Sequence, residues 1–229
     1  MGDVLLIFAI ISTGGIAVSR HYRLMTRLAL IVLSLIAVVA AYGCSDDAKV
    51  DGVSLPKDEL CVGDIVFRRG EGVASDMVDY SDVHGQYSHV GVVALSDSGP
   101  VVVHAVPGRV PGQSGEDIVR AEKIESFFSV EQSTRGEIRR LTLDSVQRSR
   151  LNRKALEIAR RQVEFDHSYS LEDTTKLYCT ELLQRLFADI GVDLAQGRIS
   201  RINMVGLGDS ILMPSDIYFN DGLKTIFSY

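Results

Sequence analysis

Tyr87-Ser88-His89-Val90-Gly91-Val92-Val93 and Tyr178-Cys179-Thr180-Glu181-Leu182-Leu183 are the stretches on which the reading of this chain turns. The first is β-branched and apolar around one imidazole. It predicts a strand over residues 88–95, buried on both faces. The second opens a run with apolar residues at Cys179, Leu182, Leu183, Leu186 and Phe187. These are the i, i+3, i+4, i+7 and i+8 positions of one helix face, and Gly191 ends the helix. Cys179 therefore falls in the first turn, facing the core. A thiol attacks as thiolate, and the roughly half positive charge at a helix N-terminus favours that form. A neighbouring imidazole can take the proton and later return it to a leaving group, so His89 is the candidate base.

Such a base needs a third group to hold its ring. Ser96-Asp97-Ser98-Gly99 is a tight turn, and residues 101–106 make the returning strand of a hairpin. His104 lies on that strand, where the pairing can bring it near His89. Around this hairpin, Gly63-Asp64 turns into a strand over residues 65–68, and residues 137–143 alternate as another strand. Short helices are expected over residues 73–80 and 124–128, and an amphipathic helix over 151–163. A turn at Pro214 and a last strand over 225–228 complete an α+β fold, a small antiparallel sheet packed with helices.

The 229 residues suffice for one core plus a targeting segment. A net charge of −6 gives no electrostatic grip on nucleic acid, and the short Arg clusters read as solvated faces. Residues 28–41 are apolar apart from one Ser, follow Arg20, Arg23 and Arg27, and end at Tyr42-Gly43-Cys44. This is the pattern of a secretory signal, too short for a bilayer span of about 20 residues. Cys44 after Gly43 resembles the bacterial lipoprotein box, in which that Cys is lipidated. Tyr42 stands where the box carries a smaller residue. The expected organisation is a signal or membrane segment over 1–43, a polar tether over 44–56 and a catalytic domain over 57–229. Met25 fits as the true start, with residues 1–24 an extension; the other reading is a hairpin of two membrane segments. The product is expected to be exported and held at the membrane of the bacterial cell envelope.

Cys61 and Cys179 remain beyond Cys44. Cys61 reads as a small buried apolar residue. His84 and His167 lie in loop-like segments, and no spacing of His and Cys matches a zinc pattern, so neither metal nor cofactor is expected. Tyr178 and Tyr87 flank the two motifs. Either hydroxyl, or the backbone N–H of Cys179, is a candidate to hold an oxyanion.

In order, Gly63-Asp64-Ile65-Val66-Phe67, the His89 strand, Val103-His104-Ala105, Phe165-Asp166 and the Cys179 helix resemble the permuted papain-like group of the NlpC-type superfamily, the bacterial YiiX and YaeF type proteins. In papain-like enzymes the Cys usually precedes the His; here the His leads. A more distant similarity is to lecithin:retinol acyltransferase. The resemblance implies a circularly permuted papain-like fold, with Cys179 as nucleophile, His89 as base and His104 as a polar third member. It also implies a cysteine hydrolase that cleaves a peptide or acyl-amide, in this location a component of the cell envelope. Two alternatives stand beside it: an acyltransferase or thioesterase acting on lipids through the same residues, and a non-catalytic lipoprotein that binds a ligand.

Overall fold

Six strands form one antiparallel sheet in the order β4-β3-β2-β1-β5-β8. They are β1 (Ile65–Arg69), β2 (His89–Ser96), β3 (Gly99–Val106), β4 (Ile118–Lys123), β5 (Arg135–Arg140) and β8 (Lys224–Ser228). The helices are α1 (Ile124–Phe127), α2 (Ser145–Arg160), α3 (Cys179–Ala188) and α4 (Pro214–Tyr218), and β6 (Ser200–Arg201) pairs with β7 (Ser210–Ile211) in a small separate ladder. The chain is thus α+β. This computed structural model describes residues 54–70, 78, 80–82, 84–107, 117–173, 175–201 and 210–229. The signal segment, Cys44, most of the tether and most of the helix expected over 73–80 lie outside these residues. No helix among the described residues is long and apolar enough to cross a membrane.

The sheet is apolar on both sides. Val90, Val92, Ala94, Val103 and Ala105 project into a core shared with Leu151 and Ala155 of α2 and Leu182, Leu183, Leu186 and Phe187 of α3. Each of the Val, Leu and Phe side chains among them contributes roughly 1.5–3 kcal/mol by leaving water. Val66, Val93, Val102 and Ile138 project the other way, against Ile124, Phe127 and Phe128. This explains why β2 reads as a continuous apolar run rather than an alternating one.

Local chemistry starts and stops the elements. Gly63, at φ 89, makes the turn into β1. Asp64 is fully buried there: it accepts from the N–H of Cys61 at 2.8 Å and holds Arg140 through both carboxylate oxygens at 2.6 and 2.7 Å. Asp144 and Gln147 form a capping box, so α2 begins six residues before the expected Leu151. The N–H of Val192 returns to the carbonyl of Phe187 past Gly191 at φ 79, which closes α3. The strand expected over 137–143 runs instead from Arg135 to Arg140. The sequence reading also lacked β4, an edge strand whose alternate residues Arg120 and Glu122 are charged.

The β2–β3 register places the histidines. Val92 faces Val103 and Leu95 faces Pro100. Continued one step, Gly91 lies opposite His104 and His89 lies diagonal to it, on the same face. A Cβ added at Gly91 would come within 2.5 Å of Val102 Cγ1 and 3.2 Å of His104 Cβ. Gly91→Ala is therefore expected to destabilise the domain by about 1–3 kcal/mol, the usual cost of overpacking, as read from urea unfolding. A variant as stable as the parent would show that this strand contact has slack.

Candidate active site

Cys179 opens α3 after an extended Tyr178 that supplies no side-chain cap. The sulfur is buried, and the backbone N–H groups of Val90, Thr180 and Cys179 itself are directed at it. The nucleophile candidate therefore lies against β2 one residue past His89. Burial pushes its thiol up to about 11, and neither those N–H groups nor the charge of Arg68 offsets this. The helix N-terminus acts in the expected direction, but desolvation outweighs it. Holding a free thiolate at pH 7 would cost roughly 5 kcal/mol.

His89 and His104 meet on the opposite face of the sheet, where α1 covers them. Nε2 of His89 is 2.7 Å from Nδ1 of His104. Nε2 of His104 is 3.0 Å from Oε1 of Glu122, bent from the ideal hydrogen-bond direction. Phe127 packs on both imidazoles, with ring centres 5.8 and 5.2 Å away. Arg68 lies 4.5 Å over the same ring and donates to the Phe127 carbonyl at 2.9 Å. In the β1–β2 register Arg68 pairs with His89, and in the β3–β4 register Arg120 pairs with His104.

The charges around the pair assign its protons. Burial works to raise the Glu122 carboxyl, but His104, Arg120 and Arg68 outweigh it, so Glu122 stays ionised below the usual carboxylate range. An ionised carboxylate only accepts, so the 3.0 Å contact favours the His104 tautomer with its proton on Nε2; in that tautomer Nδ1 of His104 accepts from Nε2–H of His89. Nδ1 of His89 is then the nitrogen with the free lone pair. Burial, then Arg68, His104 and Arg120, hold His89 well below its ordinary value. Burial also lowers His104, against the pull of Glu122. Both rings are therefore neutral at pH 7. No hydrogen bond joins Cys179 to His89 in this arrangement.

The other candidates separate. Tyr178 borders the same cavity as Cys179, and its hydroxyl accepts from the N–H of Leu212 at 3.1 Å. Tyr87 is turned away: its buried hydroxyl donates to Oε2 of Glu137 at 2.8 Å, so it is not placed to hold an oxyanion at Cys179. Cys61 is half-buried and, like Cys179, a free thiol. His84 and His167 are exposed, the latter 3.1 Å from Asp117. Two residues at the site escaped the sequence reading. Glu122 lies on the unforeseen strand. Tyr169, at φ 51 in an irregular segment, packs at a tilt against Tyr178 with ring centres 5.3 Å apart and borders the Cys179 cavity. Such backbone strain in a non-glycine residue costs on the order of 1 kcal/mol and concentrates at functional sites. Burial pushes its phenol up to about 12.

No family model matches this chain, and no curated protein does. Among solved structures it is similar to the crystal structure of metalloprotein yiiX from Escherichia coli O157:H7, DUF1105. The two share 18% sequence identity at a TM-score of 0.61, over 74% of this chain and 97% of that one. At that identity the likeness is one of fold.

Two outcomes follow from the electrostatics. Iodoacetamide alkylation of Cys179, followed by peptide mass spectrometry, should keep accelerating as pH rises from 7 to 10. A plateau below pH 8 would mean a resting thiolate. The imidazoles, which titrate near 6.5 when unfolded, titrate lower when folded. Their contribution to stability is present above pH 6.5 and is lost as pH falls below it. The urea midpoint should therefore drop between pH 7.5 and 5.5, and drop less in the His89→Gln/His104→Gln variant. Equal slopes would contradict the assigned neutral pair.

Proposed function

We propose that this protein is a cysteine hydrolase that cleaves an amide through an acyl-enzyme on Cys179, with His89 as general base. The observation that carries the reading is the Glu122–His104–His89 chain. Its proton order leaves Nδ1 of His89 as a base while Cys179 lies against the adjoining strand residue. His89 and the sulfur start on different sides of β2, so the reading requires the imidazole to reach the thiol when substrate binds. That movement is larger than the shortening of an already aligned hydrogen bond on binding.

In the first half-reaction, Sγ attacks the carbonyl carbon as its proton passes to Nδ1 of His89. The tetrahedral intermediate collapses, the C–N bond breaks, and His89 returns that proton to the departing amine. In the second, His89 takes a proton from water, whose oxygen attacks the thioester; the acid is released and the thiol regains its proton. As His89 becomes positive, His104 accepts its Nε2–H and the Glu122 carboxylate stabilises the pair, as the carboxylate of a serine-protease triad does. The N–H of Cys179 and the hydroxyls of Tyr178 and Tyr169 are the oxyanion candidates.

The order of the His and Cys motifs supports the finer fold reading, a permuted papain-like domain. The basic and apolar segment before Cys44 supports export and a lipid anchor in the cell envelope, with a peptide or acyl-amide there as substrate. The yiiX neighbour is titled a metalloprotein. In this chain no group of three or more His, Cys, Asp or Glu among the described residues is arranged to hold a metal ion, and no step is assigned to one.

Cys179→Ala should abolish turnover of a panel of peptide and acyl amides; turnover equal to wild type would end the proposal. Glu122 acts through His104 and is a positioning residue. Glu122→Gln should lower kcat by roughly 10²-fold or more and move the acid limb of the pH–rate profile to lower pH, since the imidazolium loses its counter-charge. A fall in rate with an unmoved profile would make Glu122 merely structural.

A further inference from the structure

Arg68 sits where a cation is costly. It is 7% exposed, lies directly across the β1–β2 ladder from His89, and burial pushes its guanidinium down to about 10, so it is still charged at pH 7. A buried Arg is commonly held by a bidentate carboxylate. Here Oε1 of Glu122 is 3.9 Å from Nη1, beyond hydrogen-bond reach. Nη1 donates instead to the neutral carbonyl of Phe127 at 2.9 Å. The buried Nε has no hydrogen-bond partner among the described residues. A cation this poorly satisfied in a native fold calls for a reason other than stability.

The guanidinium is held against the imidazole chain. Its carbon lies 4.5 Å over the centre of the Phe127 ring, and that ring packs on both His89 and His104. The other ionisable groups around the pair are Glu122 and Arg120 of β4. Cys179 and Tyr229 lie within range of Arg68 itself. α1 adds Glu125, which is exposed and paired with Lys57. Glu122 favours an added proton on His104, and Arg68 and Arg120 oppose one on either ring. Of these two cations Arg120 has the weaker hold. Its side chain is 41% exposed and donates to Oε2 of Glu122 at 3.2 Å, so water and that carboxylate screen it.

We infer that Arg68 is a positioning residue of the site: pinned by the Phe127 carbonyl, its fixed charge keeps an extra proton off His89 and His104, so that Nδ1 of His89 stays open in acid. The inference rests on the reading of His89 as general base and adds what keeps that base in its working form. Without the cation, a buried carboxylate beside two imidazoles draws a proton from water, and the pair rests as an imidazolium with Glu122 as counter-ion. A base that already carries its proton cannot take one from the thiol. Arg68 and Glu122 are therefore opposed. The carboxylate stabilises the imidazolium that forms during the reaction, and the cation prevents it from forming beforehand. The poor satisfaction of Arg68 fits this role, because a fully paired guanidinium would have its field cancelled by its partner.

The test uses the full-length chain, wild type beside Arg68→Met and Arg68→Lys. Two readouts are followed: the nitrogen-15 titration of the imidazoles, and the pH–rate profile of Cys179-dependent turnover of the amide panel. Arg68→Met should move the imidazole titration to higher pH by about one unit or more. The acid limb of the profile should move up with it, so that at a fixed pH on that limb the rate falls about tenfold per unit. Arg68→Lys, which keeps the charge, should return both readouts most of the way to wild type. Arg68→Gln provides the same reading as Arg68→Met if the latter does not fold. An imidazole titration unmoved by loss of the charge would overturn the inference, and a lower urea midpoint beside it would make Arg68 merely structural. A moved titration with an unmoved acid limb would overturn the positioning role. A moved titration with no Cys179-dependent turnover in wild type would uphold the effect of the charge and remove the hydrolase reading beneath it.

Discussion

The pairing of β2 with β3 is the constraint on which the rest of the site depends. It lays His89 diagonal to His104 on one face of the sheet, with Gly91 opposite His104. On the other face, Val90, Val92 and Val103 receive α3 and so bring Cys179 onto the strand. A register slip of one residue would turn one of the two strands over, sending its imidazole into the helix-covered core and parting His89 from His104. The apolar load on both faces makes that slip costly, and the glycine marks the place where two side chains could not both fit.

Burial and charge pull the site's titrations in opposed directions. Desolvation keeps the thiol protonated and both imidazoles neutral, while Glu122 stays ionised beside Arg68 and Arg120. The result is a resting arrangement with a protonated thiol and unprotonated imidazoles, the state opposite to a preformed thiolate–imidazolium pair. In such a site the thiol is shielded from adventitious chemistry.

Much of this was legible in the residues themselves. The helix from Cys179 announces itself by five apolar positions on one face, and the hairpin by Ser96-Asp97-Ser98-Gly99 between two β-branched runs. The place of His104 beside His89 follows from the alternation of those strands. The start of α2 was also readable, since Asp144 and Gln147 stand at capping-box spacing. Other parts were hidden for physical reasons. β4 is an edge strand whose one fully buried side chain is Val119, so its hydrophobic signal is faint. The signal that exists is the pair Arg120 and Glu122, opposite charges two residues apart and so on one face. Tyr169 could not be found from pattern, because its place depends on a left-handed backbone within an irregular segment. The height of the Cys179 thiol depends on the closeness of packing around the sulfur, which helix periodicity does not report.

The proposed chemistry stands on the order of protons along Glu122, His104 and His89. Nitrogen-15 spectra of the labelled imidazoles at pH 7 read that order directly. Both rings should carry their proton on Nε2, with Nδ1 of His89 unprotonated and available to the thiol. A proton on Nδ1 of His89, or an imidazolium at either residue, would contradict it.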